Sequence, residues 1–332
     1  MFGQLKKFVM ASGVSGDESG IAAVIAKDIA PYVDSVNIDT MGNVIAFKKG
    51  HGEHPKKLMF AAHMDEIGFI VSYIDDKGFV RLSQMGGINY AAAAFSEVVF
   101  AGGTKGVLVP NAGTAPADIK ANTVYVDIGV KNKKEAEKRV KIGEFCRIVP
   151  NLIHLAGSRV AGRPIDDRIG CLMLFEAAKA AKNFENDTYF VFTVQEEVGV
   201  RGAKTSSFAI APDYAVAADI GGSADIPNAP AGSVVLSHGI AIKLKDGMVI
   251  CHKKMVDLMK KIAGEKKVPY QLEILERGGT DTGMMQQAKG GSIAGALSIP
   301  TRYGHSAVET IDLADVEGGV QIMVGLIETK LD

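Results

Sequence analysis

The sequence predicts an α/β domain that is interrupted by a β-rich insertion. Near both ends of the 332-residue chain, apolar runs typical of strands alternate with segments of helical periodicity. Between residues 67 and 162 the pattern changes to short β-prone runs such as FIVSYI and SEVVFA, separated by turn sequences such as DDKG. We therefore expect a discontinuous α/β domain of residues 1–66 and 163–332, with residues 67–162 inserted as a small barrel or sandwich.

The first part of the α/β domain contains one predicted helix and two predicted strands. Apolar residues at helical spacing predict a helix over 17–30, and NVIAF and KLMFAA predict strands over 43–47 and 57–62. The second strand is mostly apolar, as in a parallel sheet that is covered on both faces. Within the insertion, a charged segment predicts one helix near 133–141.

The α/β pattern returns from residue 166. The predicted elements, in chain order, are a helix over 167–182, strands over 188–194 and 214–218, a helix near 248–263, strands over 270–275 and 292–297, and a helix over 313–330. Met248, Met255 and Met259 recur at near-helical spacing, which predicts that they form one packed face of the helix near 248–263.

Composition and charge argue against several classes of protein. The formal net charge is −1, so the chain has no basic excess for nucleic acid or an anionic membrane. It has no apolar run of about 18 residues that could span a membrane, and its first residues lack the apolar core of a signal peptide. Cys146, Cys171 and Cys251 show no paired spacing, which is typical of buried thiols in a reducing compartment. We expect a cytoplasmic protein.

Histidines and carboxylates follow the predicted strands. Functional groups gather beyond the carboxyl ends of strands in open α/β sheets. Carboxylates in a buried cleft need a counter-charge, because desolvation and mutual repulsion are costly. Two divalent cations would supply that charge, with one aspartate bridging them and one histidine and one carboxylate on each. The residues in question are His63, Asp65, Glu66, Asp166, Asp167, Glu196, Glu197, Asp219 and His305.

Each of these residues also has an ordinary structural interpretation. A histidine at a strand end can be a satisfied polar group, and Asp166 or Asp167 can cap the helix that follows. Paired glutamates can simply be solvated, and Asp219 can begin a turn before two glycines. If there were no metal site, these structural interpretations would have to apply to the residues at all of the strand ends together. The residues alone leave both hypotheses open.

Six motifs, which occur in order and cover essentially the whole chain, resemble the signatures of one enzyme family. They are AHMDEIGF (62–69), RPIDDRIGC (163–171), VQEEVGVRGA (194–203), AADIGG (217–222), RGGTDTG (277–283) and IPTRYGHS (299–306). They are similar to those of the dinuclear metallo-aminopeptidases that include the tetrahedral (TET), deblocking and glutamyl aminopeptidases, some of which are labelled endoglucanase. The resemblance implies a metallopeptidase domain with a mixed, mostly parallel sheet covered by helices, and a small β-barrel insertion that forms dimers.

The resemblance also implies a set of metal ligands. His63 and Asp219 would bind one ion, Glu197 and His305 would bind the other, and Asp166 would bridge them. The cofactors would be two divalent ions per subunit, for which zinc, cobalt and manganese all suit such a ligand set.

Two further roles follow from the resemblance. Asp166 is preferred to Asp167 as the bridge because the family motif, Asp-(Asp or Asn)-Arg, tolerates an amide at its second position. Glu196 would be the general base. Asp65 would hold the second ring nitrogen of His63 and so fix its tautomer.

The implied activity is metal-dependent removal of the N-terminal residue from short peptides with a free N-terminus. The implied assembly is a homo-oligomer, with a tetrahedral dodecamer built from dimers as one form. Ile88 and Asn89 depart from the family pattern, which has an aromatic and an acidic residue after the paired glycines. Arg302 either pairs with a carboxylate of the fold or meets an acidic substrate, and Asp281 either orients substrate or belongs to a plain turn.

Two other functions compete with this hypothesis. A glycoside hydrolase would need two carboxylates but no histidine ligands, and stacking aromatics in its cleft. The chain has no Trp and only 7% aromatic residues, which argues against it. A non-catalytic metal-binding scaffold would not need the base Glu196.

Overall fold

The structure is a computed structural model that describes residues 1–229 and 234–332. Its helices are α1 (Phe2–Met10), α2 (Ser19–Ile29), α3 (Tyr90–Ala93), α4 (Lys133–Ala136), α5 (Arg168–Ala180), α6 (Arg201–Ile210), α7 (Lys253–Lys266), α8 (Thr282–Gln286) and α9 (Leu313–Glu328). Its strands are β1 (Ser35–Ile38), β2 (Val44–Lys48), β3 (Lys57–His63), β4 (Gly68–Ile74), β5 (Val80–Met85), β6 (Ser96–Phe100), β7 (Lys105–Pro110), β8 (Val124–Asp127), β9 (Phe145–Ile148), β10 (Asn151–His154), β11 (Arg159–Arg163), β12 (Asp187–Thr193), β13 (Tyr214–Gly222), β14 (Ile240–Lys245), β15 (Tyr270–Ile274), β16 (Ile293–Thr301) and β17 (Glu309–Asp312).

The central sheet is mixed and mostly parallel at its centre, as predicted. Among the described residues its strand order is β1–β2–β12–β3–β13–β16–β14–β15. Strands β12, β3, β13 and β16 run parallel, whereas β2 and β14 run antiparallel to β12 and β16. Strands β3 and β13 are buried along nearly their whole length, which explains their almost unbroken apolar sequence.

Helices cover this sheet and complete its core. Helices α5 and α9 pack against each other, and they contact strands β3 and β16 respectively. The side chains of Phe60, Phe190 and Leu297 are fully buried in the resulting core. The prediction that the thiols are buried is also confirmed, since Cys146, Cys171 and Cys251 are free and buried.

Helix α7 begins later than the predicted start near residue 248. The carboxylate of Asp246 accepts hydrogen bonds from the N–H groups of Met248 and Val249, at 2.7 and 2.9 Å, and so forms a turn there. Met255 and Met259 lie on the buried face of α7 as expected. Met248 does not, because it precedes the helix and its side chain is 40% exposed.

Strands β4 to β9 close into a barrel in the order β4–β5–β8–β7–β6–β9. Its core includes Phe69, Phe100 and Val126. The predicted helix near 133–141 is only the short α4, because the chain turns after Ala136 and buries Val140 in the barrel core. The predicted barrel is therefore present, between Gly68 and Ile148.

A separate three-stranded sheet, β10–β11–β17, was not predicted. It joins residues 151–163 to the last part of the chain through the pairing of β11 with β17. The limits of the two domains stay a prediction. Within the described residues, the helices lack the length and apolarity that a membrane span requires.

Candidate active site

The parallel strands bring the predicted site residues to one edge of the sheet. His63 is the last residue of β3, and Asp219 lies near the end of β13. Glu196 and Glu197 follow the end of β12, and His305 follows the end of β16. The cavity at this edge has a volume of about 440 Å³ and is lined by all five of these side chains together with Asp166 from the loop before α5.

Asp166 lies between the two histidines. Its Oδ1 is 3.2 Å from Nε2 of His63, and its Oδ2 is 3.1 Å from Nε2 of His305. Glu197 approaches the same His305 nitrogen at 3.5 Å, and Asp219 approaches the same His63 nitrogen at 3.9 Å. Each histidine therefore shares Asp166 and has one further carboxylate beside it.

The other ring nitrogen of each histidine faces an acceptor. Nδ1 of His63 lies 3.2 Å from the carbonyl oxygen of Asp65 and 3.5 Å from its carboxylate. Nδ1 of His305 lies 3.0 Å from the carbonyl oxygen of Gly87, which belongs to the loop after barrel strand β5. A carbonyl oxygen only accepts hydrogen bonds, so Nδ1 carries the hydrogen in neutral histidine and Nε2 is free to bind a cation.

Asp167 also lies at the centre, in a different position from Asp166. Its Oδ1 accepts a hydrogen bond from the N–H of Gly170 at 2.9 Å, so Asp167 is the N-cap of α5. Together with His63 and Asp219 it forms one group whose donor atoms lie within 4.8 Å of one another, and His63, Asp166 and Glu197 form a second such group.

Burial and mutual repulsion disfavour the ionised form of the carboxylates at this site, whereas the carboxylates favour protonated histidine. Burial raises the pKa of Glu196 well above its usual range, that of Glu197 to about 8 and that of Asp219 to about 7. The Asp166 carboxylate raises the pKa of His305 to about 10. Burial alone would lower the pKa of His63, but the neighbouring Asp166 and Asp65 carboxylates outweigh burial and raise it.

The donor set fits divalent cations. Within the described part of the chain, Oδ1 of Asp166 and Oδ2 of Asp167 are buried and accept no hydrogen bond. Buried carboxylate oxygens without a partner are costly unless a charge satisfies them. Mixed imidazole and carboxylate donors are those that zinc, cobalt and manganese accept.

Asp65 has a wider role than the predicted one. Its carboxylate accepts hydrogen bonds from the N–H groups of Glu196 and Glu197, at 3.0 and 3.3 Å, and from the hydroxyl of Ser15 at 2.6 Å. It therefore positions the backbone of both glutamates as well as facing His63. These hydrogen bonds to the backbone explain how the adjacent Glu196 and Glu197, which follow β12, are both held at the candidate active site.

Glu309 is a site residue that the sequence did not reveal. Its Oε2 accepts hydrogen bonds from the N–H groups of Ile165 and Asp166, at 2.6 and 3.1 Å, and its Oε1 accepts one from the N–H of His305 at 3.0 Å. Burial, with the nearby Asp166, raises its pKa to about 7. The sequence places Glu309 four residues after His305, which was the one indication that it lies near the site. A glutamate at the start of a strand does not by itself predict that its carboxylate accepts these hydrogen bonds.

Four residues around the candidate site have left-handed backbone conformations, as do several residues elsewhere in the chain. Gln195, Val200, Tyr303 and His305 have φ values of 55°, 55°, 60° and 58°. Such values are unfavourable for residues other than glycine, especially for β-branched Val200. Strained backbone is typical of functional sites that the surrounding fold holds in place.

Two other residues identified from the sequence have structural partners. Nε and Nη2 of Arg302 bind the Asp225 carboxylate at 2.9 and 2.5 Å, so Arg302 pairs with a carboxylate of the fold. Asp281 is buried and accepts a hydrogen bond from the hydroxyl of Thr193 at 2.5 Å. Asn89, which departs from the family pattern, caps helix α3 through its side chain.

This fold and this site define a peptidase, and the comparisons with known proteins agree. Residues 42–322 match the family described as M42 glutamyl aminopeptidase, so the chain belongs to that family of aminopeptidases. A lysyl aminopeptidase from Pyrococcus furiosus is 36% identical, with 98% of this chain and 96% of the relative covered.

Solved structures of the family superpose closely on this chain. An aminopeptidase from the archaeon Desulfurococcus kamchatkensis has a TM-score of 0.95 at 34% identity, covering 98% of this chain and 94% of that one. The Pyrococcus horikoshii TET1 peptidase, described as assembling into a tetrahedron or a large octahedral shell, has a TM-score of 0.88 at 32% identity and covers 98% of both chains. The predicted family and fold are thus confirmed.

Proposed function

We propose that this chain is a metal-dependent aminopeptidase that removes the N-terminal residue of short peptides at a centre for two divalent cations. The observation that carries the proposal is the position of Asp166, whose two oxygens lie 3.2 and 3.1 Å from the Nε2 atoms of His63 and His305. A carboxylate that bridges two cations needs one oxygen directed at each cation, and here each oxygen of Asp166 lies beside a different histidine.

In this proposal the predicted ligands keep their assignments. His63 and Asp219 would hold one cation, Glu197 and His305 would hold the other, and Asp166 would contribute to both. Zinc, cobalt and manganese suit these ligands. When bound, such ions acidify water and polarise the carbonyl of the scissile peptide bond.

Glu196 moves the proton in the proposed reaction. Its carboxylate takes a proton from the attacking water and delivers it to the nitrogen of the leaving peptide. Burial raises its pKa well above the usual range, which strengthens this carboxylate as a proton acceptor. The hydrogen bond from the Glu196 N–H to Asp65, at 3.0 Å, holds the base in place.

We also propose that the chain forms a homo-oligomer in the cytoplasm. Residues 1–66 and 163–332 would be the catalytic domain, and residues 67–162 the domain that forms the dimer. The assembly described for the Pyrococcus horikoshii TET1 peptidase supports this proposal. The free, buried cysteines are compatible with a reducing compartment.

The proposal is tested by measuring release of the N-terminal residue from a set of peptides with zinc, cobalt or manganese present. We expect cleavage of free peptides, no cleavage of N-acetylated ones and loss of activity with a chelator. Glu196→Gln should lower kcat by about 10²–10⁴-fold because it removes the proton acceptor. Its metal content, measured by atomic emission, should stay at two ions per chain.

Glu137→Gln is the matched control, since Glu137 is exposed on the barrel part and should leave kcat unchanged. Full activity of Glu196→Gln with both ions bound would contradict its role as the base. Hydrolysis of cellulose that a chelator does not affect would favour the glycoside hydrolase. Absence of any peptide cleavage with each metal would favour the non-catalytic scaffold.

A further inference from the structure

The lining of the active-site cavity is partly apolar. Its large apolar side chains, which together are called the apolar wall, are those of Val200, Ile220, Met248 and Leu275. Val200 is buried, whereas the Met248 side chain is 40% exposed and faces the cavity. The cavity of about 440 Å³ falls within the range of small-molecule sites.

Glycines fix the position of Met248 on this wall. A Cβ atom at Gly279 would lie 2.2 Å from Sδ of Met248, and one at Gly283 would lie 3.1 Å from its Cβ. The methionine therefore packs directly on the backbone of the 279–283 segment. A side chain at Gly279 would displace it, so the apolar surface depends on that glycine.

Apart from the histidines, the cavity offers no unpaired cation to an acidic substrate side chain among the described lining residues. Apart from the two histidines of the centre, Lys243 is the only cation among the described lining residues. Its ammonium is 1% exposed and lies 3.0 Å from Glu273 and 3.6 Å from Asp246. Arg302 is already bound to Asp225. The undescribed residues 230–233 contain no charged side chain.

We propose that this apolar wall receives the side chain of the substrate's N-terminal residue and selects neutral apolar residues such as leucine and methionine over lysine and glutamate. This inference rests on the proposed aminopeptidase function. Apolar side chains gain free energy by leaving water for such a wall. A charged side chain packed against these four apolar residues would lose hydration without gaining a partner from them, which is costly.

The first test compares kcat/KM for the p-nitroanilides of leucine, methionine, lysine and glutamate with the same metal. We expect leucine and methionine to exceed lysine and glutamate by at least about tenfold. Calorimetric binding of the free amino acids gives a second readout that does not need turnover, and leucine should bind more tightly than lysine or glutamate. A preference for lysine or glutamate in both measurements would overturn the proposal.

The second test changes the wall. Met248→Glu should raise the lysine-to-leucine ratio of kcat/KM at least about tenfold, because the new carboxylate pairs with the substrate ammonium. Met248→Leu should keep the original preference. Met10→Glu is the matched control, since Met10 in α1 is 39% exposed and does not line the cavity.

The outcomes separate this inference from the proposed function. An active enzyme whose preference is unchanged by Met248→Glu overturns the role of the wall but leaves the aminopeptidase function intact. Failure to cleave every substrate counts against the proposed function. In that case calorimetry decides the inference alone: tighter binding of leucine than of lysine supports the apolar wall, and equal or weaker binding overturns it.

Discussion

Glu309 supports two of the candidate ligands from outside the metal centre. Its two carboxylate oxygens accept hydrogen bonds from the N–H groups of Ile165, Asp166 and His305. Glu309→Gln would replace one of these oxygens by an amide nitrogen, which cannot accept a hydrogen bond. We expect the affinity for zinc to fall by about 10–100-fold, as when other groups that orient ligands are removed. This affinity is measured by calorimetric titration with zinc of protein from which a chelator has removed the bound metal.

Glu176→Gln provides the control for that measurement. Glu176 lies on α5 and pairs with Lys179 at 3.5 Å, with 15% of its side chain exposed. We expect this variant to bind zinc as the unchanged protein does. If Glu309→Gln did the same, the hydrogen bonds from Glu309 would not govern the geometry of the ligands.

At the scale of elements, Glu66 ties the barrel to the central sheet. This residue lies between β3 and β4, and its buried carboxylate is 2.9 Å from Arg147 of β9, 3.6 Å from Arg168 of α5 and 4.0 Å from Arg163 of β11. Glu66→Gln leaves these guanidinium groups without their common counter-charge. We expect the free energy of unfolding to fall by about 3–5 kcal/mol, measured by chemical denaturation at fixed protein concentration.

The same Glu176→Gln variant is the stability control. Its partially exposed pair within one helix should contribute less than about 1 kcal/mol. Equal effects of the two substitutions would mean that Glu66 does not hold the elements together.

The sequence predicted most central strands and the edge at which the site forms, because apolar runs and the residues after them are local signals. It did not predict the sheet β10–β11–β17, whose pairing of Arg159 with Asp312 joins distant parts of the chain. The predicted start of α7 was wrong because the Asp246 side chain forms a turn where the helix was expected to begin. Glu309 was missed for a similar reason, since its hydrogen bond to Ile165 spans 144 residues.

At the scale of the whole molecule, the proposed oligomer makes a prediction about mass. Light scattering should give a multiple of the 35.1-kDa chain, twelvefold for a tetrahedral dodecamer. Phe95 is 76% exposed on the barrel part, so a dimer formed by the barrel could bury its ring. We expect Phe95→Glu to produce monomers, because it would place a charge in the dimer interface.

Phe208→Glu is the comparison, because Phe208 lies on α6 outside the barrel and is 57% exposed. It should leave the dimer intact. Monomers from Phe208→Glu, with no change from Phe95→Glu, would show that the barrel does not form the dimer.

The hydrogen bond between His305 and the carbonyl of Gly87 has a consequence for how this chain can be divided. The loop after β5 closes on the centre so tightly that a Cβ atom at Gly86 would lie 3.0 Å from the Cβ of Glu197. The barrel strands begin at Gly68, shortly after His63, and end at Ile148, with β10 and β11 between the barrel and Asp166. A shortened protein with the barrel cut away would lose the Gly87 carbonyl that faces Nδ1 of His305, and the first cut would fall close to His63. The barrel therefore completes the surroundings of the candidate site, and the two parts of the chain cannot be separated without changing that site.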